Sequence, residues 1–248
     1  MTGRLQGKVV VVTGASRGLG YRVCESFRDE GAQVGLLARE SNELTAAVAA
    51  LGPSAFALPA DVSDPSAVRR AFAAVESRGK GLHVLVNNAA VGCPQPIAEA
   101  DDALLQREIG VNLLGPIYCM REAARLMRHT GGDIVNVSSE SVRAPYPFLA
   151  VYAATKSALE TLSEGLRAEL RSVGIRVSVL RSGRLAESGF NRDWSPQVRQ
   201  RHREQAQIQG FYAASGEPIS PRVAADMIVE LVCMPRAAHG SLIELRPA

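Results

Sequence analysis

The chain has 248 residues, 46% of them hydrophobic, and a formal net charge of +3 at pH 7. This length and composition allow one α/β domain with a single core, and the small, dispersed charge argues against a nucleic-acid-binding surface. The four cysteines lie apart, without a C-x-x-C pair or a nearby histidine cluster, so free thiols and no metal site are expected. No apolar run approaches the length of a membrane span. We therefore expect a cytoplasmic protein in which residues 1–248 form one domain, with neither membrane nor nucleic acid as a partner.

Strand and helix patterns alternate along the chain. The first strand is predicted at residues 8–13, whose apolar run Val9-Val10-Val11-Val12 is typical of a strand buried on both faces. A helix is predicted to follow over 19–30. The later strands are predicted at 33–37, 55–58, 83–87, 133–138, 176–180 and 242–245. The helices between them are predicted after the cap Ser41, after Ser63-Asp64-Pro65, over about 101–129 with interruptions at Gly110, Gly115 and Pro116, and over 152–173.

This alternation implies right-handed βαβ units, and hence a doubly wound parallel sheet with helices on both faces. The least regular segment is 182–221, which is polar, rich in Arg and Gln, and follows the sixth strand. Ligands of doubly wound sheets bind outside the carboxyl ends of the strands. The segment 182–221 is therefore expected to cover a binding site as a lid.

A glycine-rich turn follows the first strand and opens the first helix, with the sequence Thr13-Gly14-Ala15-Ser16-Arg17-Gly18-Leu19-Gly20. Glycines at this spacing allow positive φ and a close approach of the backbone to a ligand. The free N–H groups and the dipole at the helix start favour a pyrophosphate. The glycines could serve packing alone, but their position after the first strand predicts dinucleotide binding by Gly14, Ser16, Arg17, Gly18, Leu19 and Gly20.

Tyr152 and Lys156 stand four residues apart in a strong helix pattern, and Ser139 lies thirteen residues upstream of the tyrosine. The spacing places both side chains on one face of a helix, where an ammonium near a phenol favours the phenolate. A phenol tuned in this way can exchange a proton with an alcohol or carbonyl oxygen. Because Tyr and Lys meet at this spacing by chance on many helices, the pair alone does not establish catalysis.

Several motifs together resemble those of the short-chain dehydrogenase/reductase (SDR) family. In order and spacing they are the glycine turn, Asn87-Asn88-Ala89, Asn112, Ser139 and Tyr152-x-x-x-Lys156. The resemblance covers nearly the whole chain. It implies a Rossmann-like sheet of seven parallel strands, a nicotinamide cofactor, and hydride transfer to or from a carbonyl carbon.

The resemblance also implies a role for each catalytic residue. Tyr152 would be the general acid in reduction and the general base in oxidation. Lys156 would lower the pKa of Tyr152 and hold the nicotinamide ribose. Ser139 would hydrogen-bond the substrate oxygen, and Asn112 would hold a water molecule next to the lysine.

Two of these roles have alternatives. Only the spacing to Tyr152 distinguishes Ser139 from Ser138, and Ser141 is near enough to assist. Asn112 could instead be a buried residue at a helix kink.

The end of the second strand bears on the choice of nicotinamide cofactor. An acidic residue there would hydrogen-bond a ribose 2′-hydroxyl and select NAD, but the chain has Leu37-Ala38-Arg39. Arg39 and Arg17 together suit a 2′-phosphate, because guanidinium groups bind phosphate bidentately. Both could instead be solvated surface arginines. The expected cofactor is NADP(H).

The resemblance implies further cofactor contacts. Asp61-Val62 would contact the adenine, although Asp61 could instead be a capping or turn residue. Asn88 and Ala89, after the fourth strand, and Gly183, after the sixth, are also expected to contact the cofactor.

Three places depart from the family pattern. Ala90 stands where the family usually has glycine after Asn-Asn-Ala, and adds a methyl group near the cofactor. Ser182-Gly183 replaces Pro-Gly after the sixth strand, and Glu187 occupies the place of a threonine that contacts the carboxamide, with Ser188 next to it. The C-terminus lacks the Asp-Gly-Gly common in acyl-carrier-protein ketoreductases.

Aromatic residues near the expected site mouth suggest a partly apolar or ring-containing substrate, or else anchor the lid: Tyr146, Phe148, Phe190, Trp194, Phe211 and Tyr212. Arginines in the same region could attract an anionic substrate or form a solvated helix face: Arg181, Arg184, Arg192, Arg199, Arg201 and Arg203. The helices at 101–129 and 152–173 resemble those of a four-helix contact in the family, which implies a homodimer or homotetramer.

The favoured hypothesis is an NADP(H)-dependent carbonyl reductase or alcohol dehydrogenase that acts on a small-molecule ketone, aldehyde or alcohol. One alternative is a non-catalytic NADP sensor, although a sensor has no need of the complete catalytic set. Another is an epimerase or dehydratase that uses transient oxidation.

Overall fold

A single parallel sheet forms the centre of the computed structural model, which describes residues 3–186, 189–211 and 216–247. The sheet contains β1 (Val9–Thr13), β2 (Gln33–Ala38), β3 (Ala55–Pro59), β4 (Val84–Asn87), β5 (Gly132–Ser139), β6 (Ile175–Ser182) and β7 (Leu242–Leu245). Its order is β3-β2-β1-β4-β5-β6-β7, and every neighbouring pair is parallel. The predicted fold class, a doubly wound Rossmann-like single domain, is confirmed.

Helices cover both faces of the sheet: α1 (Gly18–Asp29), α2 (Asn42–Leu51), α3 (Pro65–Glu76), α4 (Asp102–Ile109), α5 (Gly115–Met127), α6 (Ala150–Leu170), α7 (Pro196–Ile208) and α8 (Pro221–Cys233). One apolar cluster packs α1, α2 and α8 against the sheet, and a second packs α3, α5 and α6 against the opposite face. In β1, Val10 and Val12 belong to the first cluster and Val9 and Val11 to the second, because successive side chains of a strand point to opposite faces. None of the described helices is long and apolar enough to cross a bilayer.

The long helical segment predicted around 101–129 consists of α4 and α5 joined by one π-helical turn, Gly110–Leu114. A Cβ atom added at Gly115 would lie 2.9 Å from Cγ2 of Val62, so the glycine lets this segment pack closely on the chain after β3. The wider turn carries Asn112 into a fully buried position.

The segment after β6 is more regular than predicted, because it contains the helix α7. Only His202 and Ala206 of α7 are buried, so the sequence shows little of the apolar periodicity that reveals most helices. Ser195 caps α7, and its side chain accepts a hydrogen bond from the backbone N–H of Val198 at 3.2 Å. A parallel β-bridge between Leu185 and Ile219 joins the two ends of this segment to each other.

Candidate active site

A cavity of about 880 Å³ opens at the carboxyl ends of the strands, between the sheet and the segment after β6. Its walls contain most of the residues predicted from the sequence, namely Gly14, Ser16, Arg17, Leu19, Arg39, Asp61, Val62, Asn88, Ala89, Ser139, Tyr152, Lys156 and Gly183. Gly18, Gly20 and Asn112 are not among the lining residues. The two glycines act through the backbone conformation of the glycine turn, and Asn112 acts through its hydrogen bonds to the backbone of Val91.

The glycine turn has the conformation that an anion-binding turn requires. Gly14 and Gly18 have positive φ angles of 64° and 55°. A Cβ atom added at Gly14 would lie 2.8 Å from Cα of Ala89, and one added at Gly20 would lie 2.4 Å from the carbonyl oxygen of Gly14. Helix α1 begins without a side-chain cap and without an acid in its first turn, so its N–H groups are available to an anion. These residues fit the pyrophosphate of a dinucleotide.

Thr13 and Asn88 lock the glycine turn to the end of β4. The backbone N–H groups of Asn88 and Ala89 both donate to Oγ1 of Thr13 at 3.0 Å. The side chain of Asn88 donates back to the carbonyl oxygen of Thr13, also at 3.0 Å. Asn88 thus braces the turn, and Thr13 is a site residue that sequence reasoning missed. Its signal was a hydroxyl residue at the end of a buried strand, next to the glycines.

Helix α6 presents Tyr152 and Lys156 on one face at the base of the cavity, where they are 8% and 2% exposed. Ser139 and Tyr152 line the cavity together, and the Ser139 hydroxyl lowers the pKa of the phenol. The ammonium of Lys156 donates to the carbonyl oxygen of Val137 at 2.8 Å. The fold therefore brings together three of the four predicted catalytic side chains, from the end of β5 and the first two turns of α6.

The electrostatics of the pair differ from the sequence expectation. Burial raises the pKa of Tyr152 to about 12, against a smaller lowering effect of the Ser139 hydroxyl. Burial also lowers the pKa of Lys156 to about 8, although the carboxylate of Glu160 opposes that shift. Lys156 Nζ lies 5.8 Å from the centroid of the Tyr152 ring, and the desolvation of the buried phenol dominates its pKa shift. In this geometry Tyr152 is a protonated donor at neutral pH.

The three neighbouring serines have different environments. Ser138 also contributes to the cavity wall, but its hydroxyl is engaged by Glu160, to whose Oε1 it donates at 2.6 Å. Ser139 lines the cavity and accepts a hydrogen bond from the backbone N–H of Ser141 at 3.2 Å. Ser141 is fully buried and supports Ser139 through its backbone. The geometry therefore favours Ser139, as the spacing to Tyr152 predicts.

Asn112 holds the loop that follows β4. Its side chain accepts from the backbone N–H of Val91 and donates to the carbonyl oxygen of Val91, each at 2.8 Å. It also donates to Oγ1 of Thr155 at 3.3 Å, and that hydroxyl donates to the carbonyl oxygen of Tyr152 at 2.7 Å. The π turn thus connects the loop after β4 to the backbone of the catalytic helix.

The two arginines predicted to bind a 2′-phosphate both line the cavity but have different environments. Arg39 is exposed and forms no hydrogen bond or ion pair within the described part of the chain. Arg17 lies 3.3 Å from a carboxylate oxygen of Glu43 and 3.9 Å from one of Asp193. Arg39 is therefore the more available of the two cations.

Asp61 has a structural role beside its place in the cavity wall. Its carboxylate accepts hydrogen bonds from the backbone N–H of Ser63 at 2.9 Å and from the hydroxyl of Ser63 at 2.6 Å. Asp64, rather than Asp61, caps α3. The turn alternative for Asp61 is thus realised, and the residue also lines the cavity together with Val62.

Aromatic side chains fasten the segment after β6 onto the catalytic face. The ring of Phe190 lies 4.9 Å from that of Tyr152, and the ring of Trp194 lies 5.6 Å from that of Phe190. The indole N–H of Trp194 donates to the carbonyl oxygen of Gly92 at 2.7 Å. These residues anchor the segment, as one of the two interpretations predicts, and they also line the cavity. Tyr212 lies outside the described residues.

The arginines of this region are largely engaged within the protein. Arg192 pairs with Glu43 at 2.5 Å, and Arg201 pairs with Glu99 at 2.7 Å. Arg199 donates to backbone carbonyl oxygens, and Arg181 is buried against acidic side chains. Because these four guanidinium groups already pair with acidic side chains or donate to backbone carbonyl oxygens, they do not form a cationic docking surface.

Comparisons with known proteins identify the family. A family model described as short chain dehydrogenase matches residues 8–198. The chain belongs to the short-chain dehydrogenase family. Among its relatives, galactitol 2-dehydrogenase from Agrobacterium fabrum is 32% identical over 182 residues, which cover 73% of this chain and 71% of the relative.

Solved SDR structures resemble the whole chain. A 3-ketoacyl-(acyl-carrier-protein) reductase from Brucella melitensis, complexed with NADH, has a TM-score of 0.82 at 26% identity over 98% of both chains. A metagenomic short-chain oxidoreductase in complex with NADP has a TM-score of 0.80 at 28% identity over 99% of both chains. The chain is therefore an SDR oxidoreductase whose structural relatives include complexes with each nicotinamide cofactor.

Two of the places that depart from the SDR pattern, Ala90 and Ser182-Gly183, lie in the cavity wall. Gly183 has no space for a side chain, because an added Cβ would lie 2.9 Å from the carbonyl oxygen of Leu245. Glu187 and Ser188 lie outside the described residues.

A buried carboxyl in this SDR escaped the sequence analysis. Glu108 is 1% exposed and accepts a hydrogen bond from the backbone N–H of Cys93 at 3.2 Å. Burial raises its pKa to about 7, and its negative charge in turn raises the pKa of Tyr152. No sequence signal marks it, because an acid near the end of an exposed helix pattern reads as a surface residue.

Proposed function

We propose that this SDR is an NADP(H)-dependent oxidoreductase that interconverts a ketone or aldehyde with the corresponding alcohol, with Tyr152 as the acid and base. The observation that carries the proposal is that the buried side chains of Ser139, Tyr152 and Lys156 line the same cavity as the glycine turn. A pair of hydroxyl donors such as Ser139 and Tyr152 can hold one carbonyl oxygen and protonate it.

Each catalytic side chain has a distinct part in the reduction. The nicotinamide, when bound, supplies the hydride. Ser139 and Tyr152 hold the substrate oxygen, and Tyr152 gives it the proton, because burial keeps the phenol protonated at neutral pH. Lys156, held by the carbonyl oxygen of Val137, stabilises the negative charge left on the tyrosine oxygen. In the oxidation the same groups act in reverse, and Tyr152 accepts the proton.

The preference for NADP(H) rests on the adenosine end of the cavity. The end of β2 carries Ala38 and Arg39 and so lacks an acid for a ribose 2′-hydroxyl. Arg39 is exposed in the cavity wall and has no acidic partner among residues 3–186, 189–211 and 216–247, so its guanidinium is available to a phosphate. Arg17 adds positive charge, partly offset by Glu43.

The substrate side supports an uncharged, partly apolar carbonyl compound. Tyr146, Leu149, Phe190 and Trp194 line the cavity near Tyr152. Such a surface favours a ring or a hydrocarbon chain next to the reacting carbonyl. We infer that residues 182–221 act as the lid over this substrate.

A panel of carbonyl compounds and alcohols, followed at the absorbance of the reduced nicotinamide, tests the proposal. It includes aromatic ketones, quinones, steroids and β-ketoacyl thioesters, each with NADPH and with NADH. The proposal predicts net consumption of NADPH by at least one carbonyl compound, with a higher kcat/KM for NADPH than for NADH. A protein that binds NADPH without net consumption would be a sensor, an epimerase or a dehydratase. A preference for NADH would refute the cofactor assignment.

A further inference from the structure

A largely buried carboxylate links three segments that carry catalytic or cofactor-binding residues. Glu160 lies one turn beyond Lys156 on α6, and its side chain is 13% exposed. It accepts a hydrogen bond from Ser138 at 2.6 Å and two from the guanidinium of Arg181, at 2.9 Å and 2.5 Å. Ser138 immediately precedes Ser139, so this carboxylate joins the catalytic helix to the ends of β5 and β6.

Arg181 extends the link to the last strand of the sheet. Its side chain is 9% exposed, and it lies 3.2 Å from a carboxylate oxygen of Glu244 on β7. Glu244 also pairs with Arg143 at 3.0 Å and with Arg246 at 2.7 Å. The guanidinium is therefore fixed from two sides by acids on different elements, which is typical of a rigid, bidentate arginine site.

Stability alone does not account for this cluster. A buried ion pair loses hydration when the protein folds, and apolar residues of similar size often serve stability as well or better. The position of Arg181 in the chain suggests a different reason for the presence of the cluster. It is followed by Ser182 and Gly183, and the backbone N–H of Gly183 donates to the carbonyl oxygen of Leu245 at 2.8 Å. Ser182 has no ring to fix its φ angle, as a proline would, so the backbone at this edge of the cavity depends on its neighbours.

We propose that Glu160 and Arg181 are positioning residues that hold Ser139, Lys156 and the Gly183 backbone in one fixed arrangement. The pair takes the place of the backbone restraint that a proline before Gly183 would supply. The catalytic part of the inference rests on the proposed function, because it concerns the geometry for hydride and proton transfer.

A second buried ion pair on the same strand provides a matched control. Arg176 stands near the start of β6 and pairs with Asp133 of β5 at 2.7 Å, with side-chain exposures of 11% and 9%. It is five residues before Arg181, which corresponds to about 17 Å along a strand. Replacing either arginine by methionine removes a guanidinium from an acid that keeps one other partner, Arg236 for Asp133 and Ser138 for Glu160. Only Arg181 lies beside the site.

The experiment compares Arg181→Met with Arg176→Met in the full chain. Hydrogen exchange of the Gly183 amide is measured without cofactor, and NADPH affinity is measured through the fluorescence of Trp194. In Arg181→Met we expect faster exchange at Gly183, weaker NADPH binding, and a kcat/KM that is about 10- to 100-fold lower, as for small displacements of reacting groups. Arg176→Met lowers the unfolding temperature but leaves exchange at Gly183 and NADPH affinity unchanged.

The inference is overturned if Arg181→Met leaves both Gly183 exchange and NADPH affinity at wild-type values, or if the two variants change them equally. If Arg181→Met does not fold, the double variant Glu160→Leu/Arg181→Met removes both charges together and gives the same readouts. A wild-type protein that turns over no carbonyl compound refutes the proposed function. The exchange rate and NADPH affinity then still decide whether the pair positions the backbone.

Discussion

Replacing Glu108 by glutamine removes a buried charge while keeping the shape of the side chain. The carboxyl is 1% exposed and accepts a hydrogen bond from the backbone N–H of Cys93, which the amide oxygen of glutamine can also accept. Any change in stability therefore reports mainly on the cost of ionising the carboxyl inside the protein.

The size of the expected stability change follows from the pKa of Glu108. Burial raises the pKa of Glu108 from its ordinary 4.5 to about 7. Between these values the native protein binds more protons than the unfolded chain, so its stability falls as the pH rises. Above pH 7 the ionised carboxyl destabilises the native state by about 3 kcal/mol. The penalty is absent below pH 4.5. Glu108→Gln should therefore stabilise the protein by about 3 kcal/mol more at about pH 8 than at about pH 4.5.

Urea denaturation of wild type and Glu108→Gln at the two pH values measures the difference. Glu164→Gln, at an exposed position of α6, is the control and should change stability little at either pH. Glu108→Gln should also lower the pKa of Tyr152, because the charge of Glu108 raises that pKa. An equal effect of Glu108→Gln at both pH values would refute the reasoning.

Two further substitutions test the loop after β4 and the adenosine end. Asn112→Ala leaves the N–H and carbonyl groups of Val91 without their partners and should cost about 1–3 kcal/mol in urea denaturation. Asn42→Ala, at the exposed start of α2, serves as its control, and equal midpoints for the two variants would contradict the role of Asn112. Arg39→Gln should raise the KM for NADPH by about 10- to 100-fold and leave that for NADH unchanged, since a charge-assisted hydrogen bond contributes about 1.5–3 kcal/mol. An equal rise for both cofactors would show that Arg39 does not bind a 2′-phosphate.

Local patterns account for most of the fold. The valine run of β1 and the strand patterns after it were recognisable because a sheet covered on both faces needs continuous apolar strands. Helix α7 escaped prediction because it buries only His202 and Ala206, so its apolar period is faint. The π turn at Gly110–Leu114 was visible only as an interruption, since its width depends on how Asn112 is held by Val91.

The site was predictable where spacing along the chain carries the chemistry, as for Tyr152 and Lys156 on one helix face. It was not predictable where distant segments meet. Glu160 and Arg181 come from different elements, and their pairing depends on the packing of α6 against β6. The direction of the Tyr152 pKa shift was also inaccessible, because it depends on burial, which spacing does not reveal.

The central claim is that the hydroxyl of Tyr152 transfers the proton, and Tyr152→Phe tests it most directly. The substitution removes one oxygen and keeps the ring that packs 4.9 Å from the ring of Phe190. We predict that turnover of a carbonyl substrate falls by about 100- to 10,000-fold, the range of general acid–base catalysis, while NADPH affinity is unchanged. Retention of wild-type turnover by the phenylalanine variant would contradict the account.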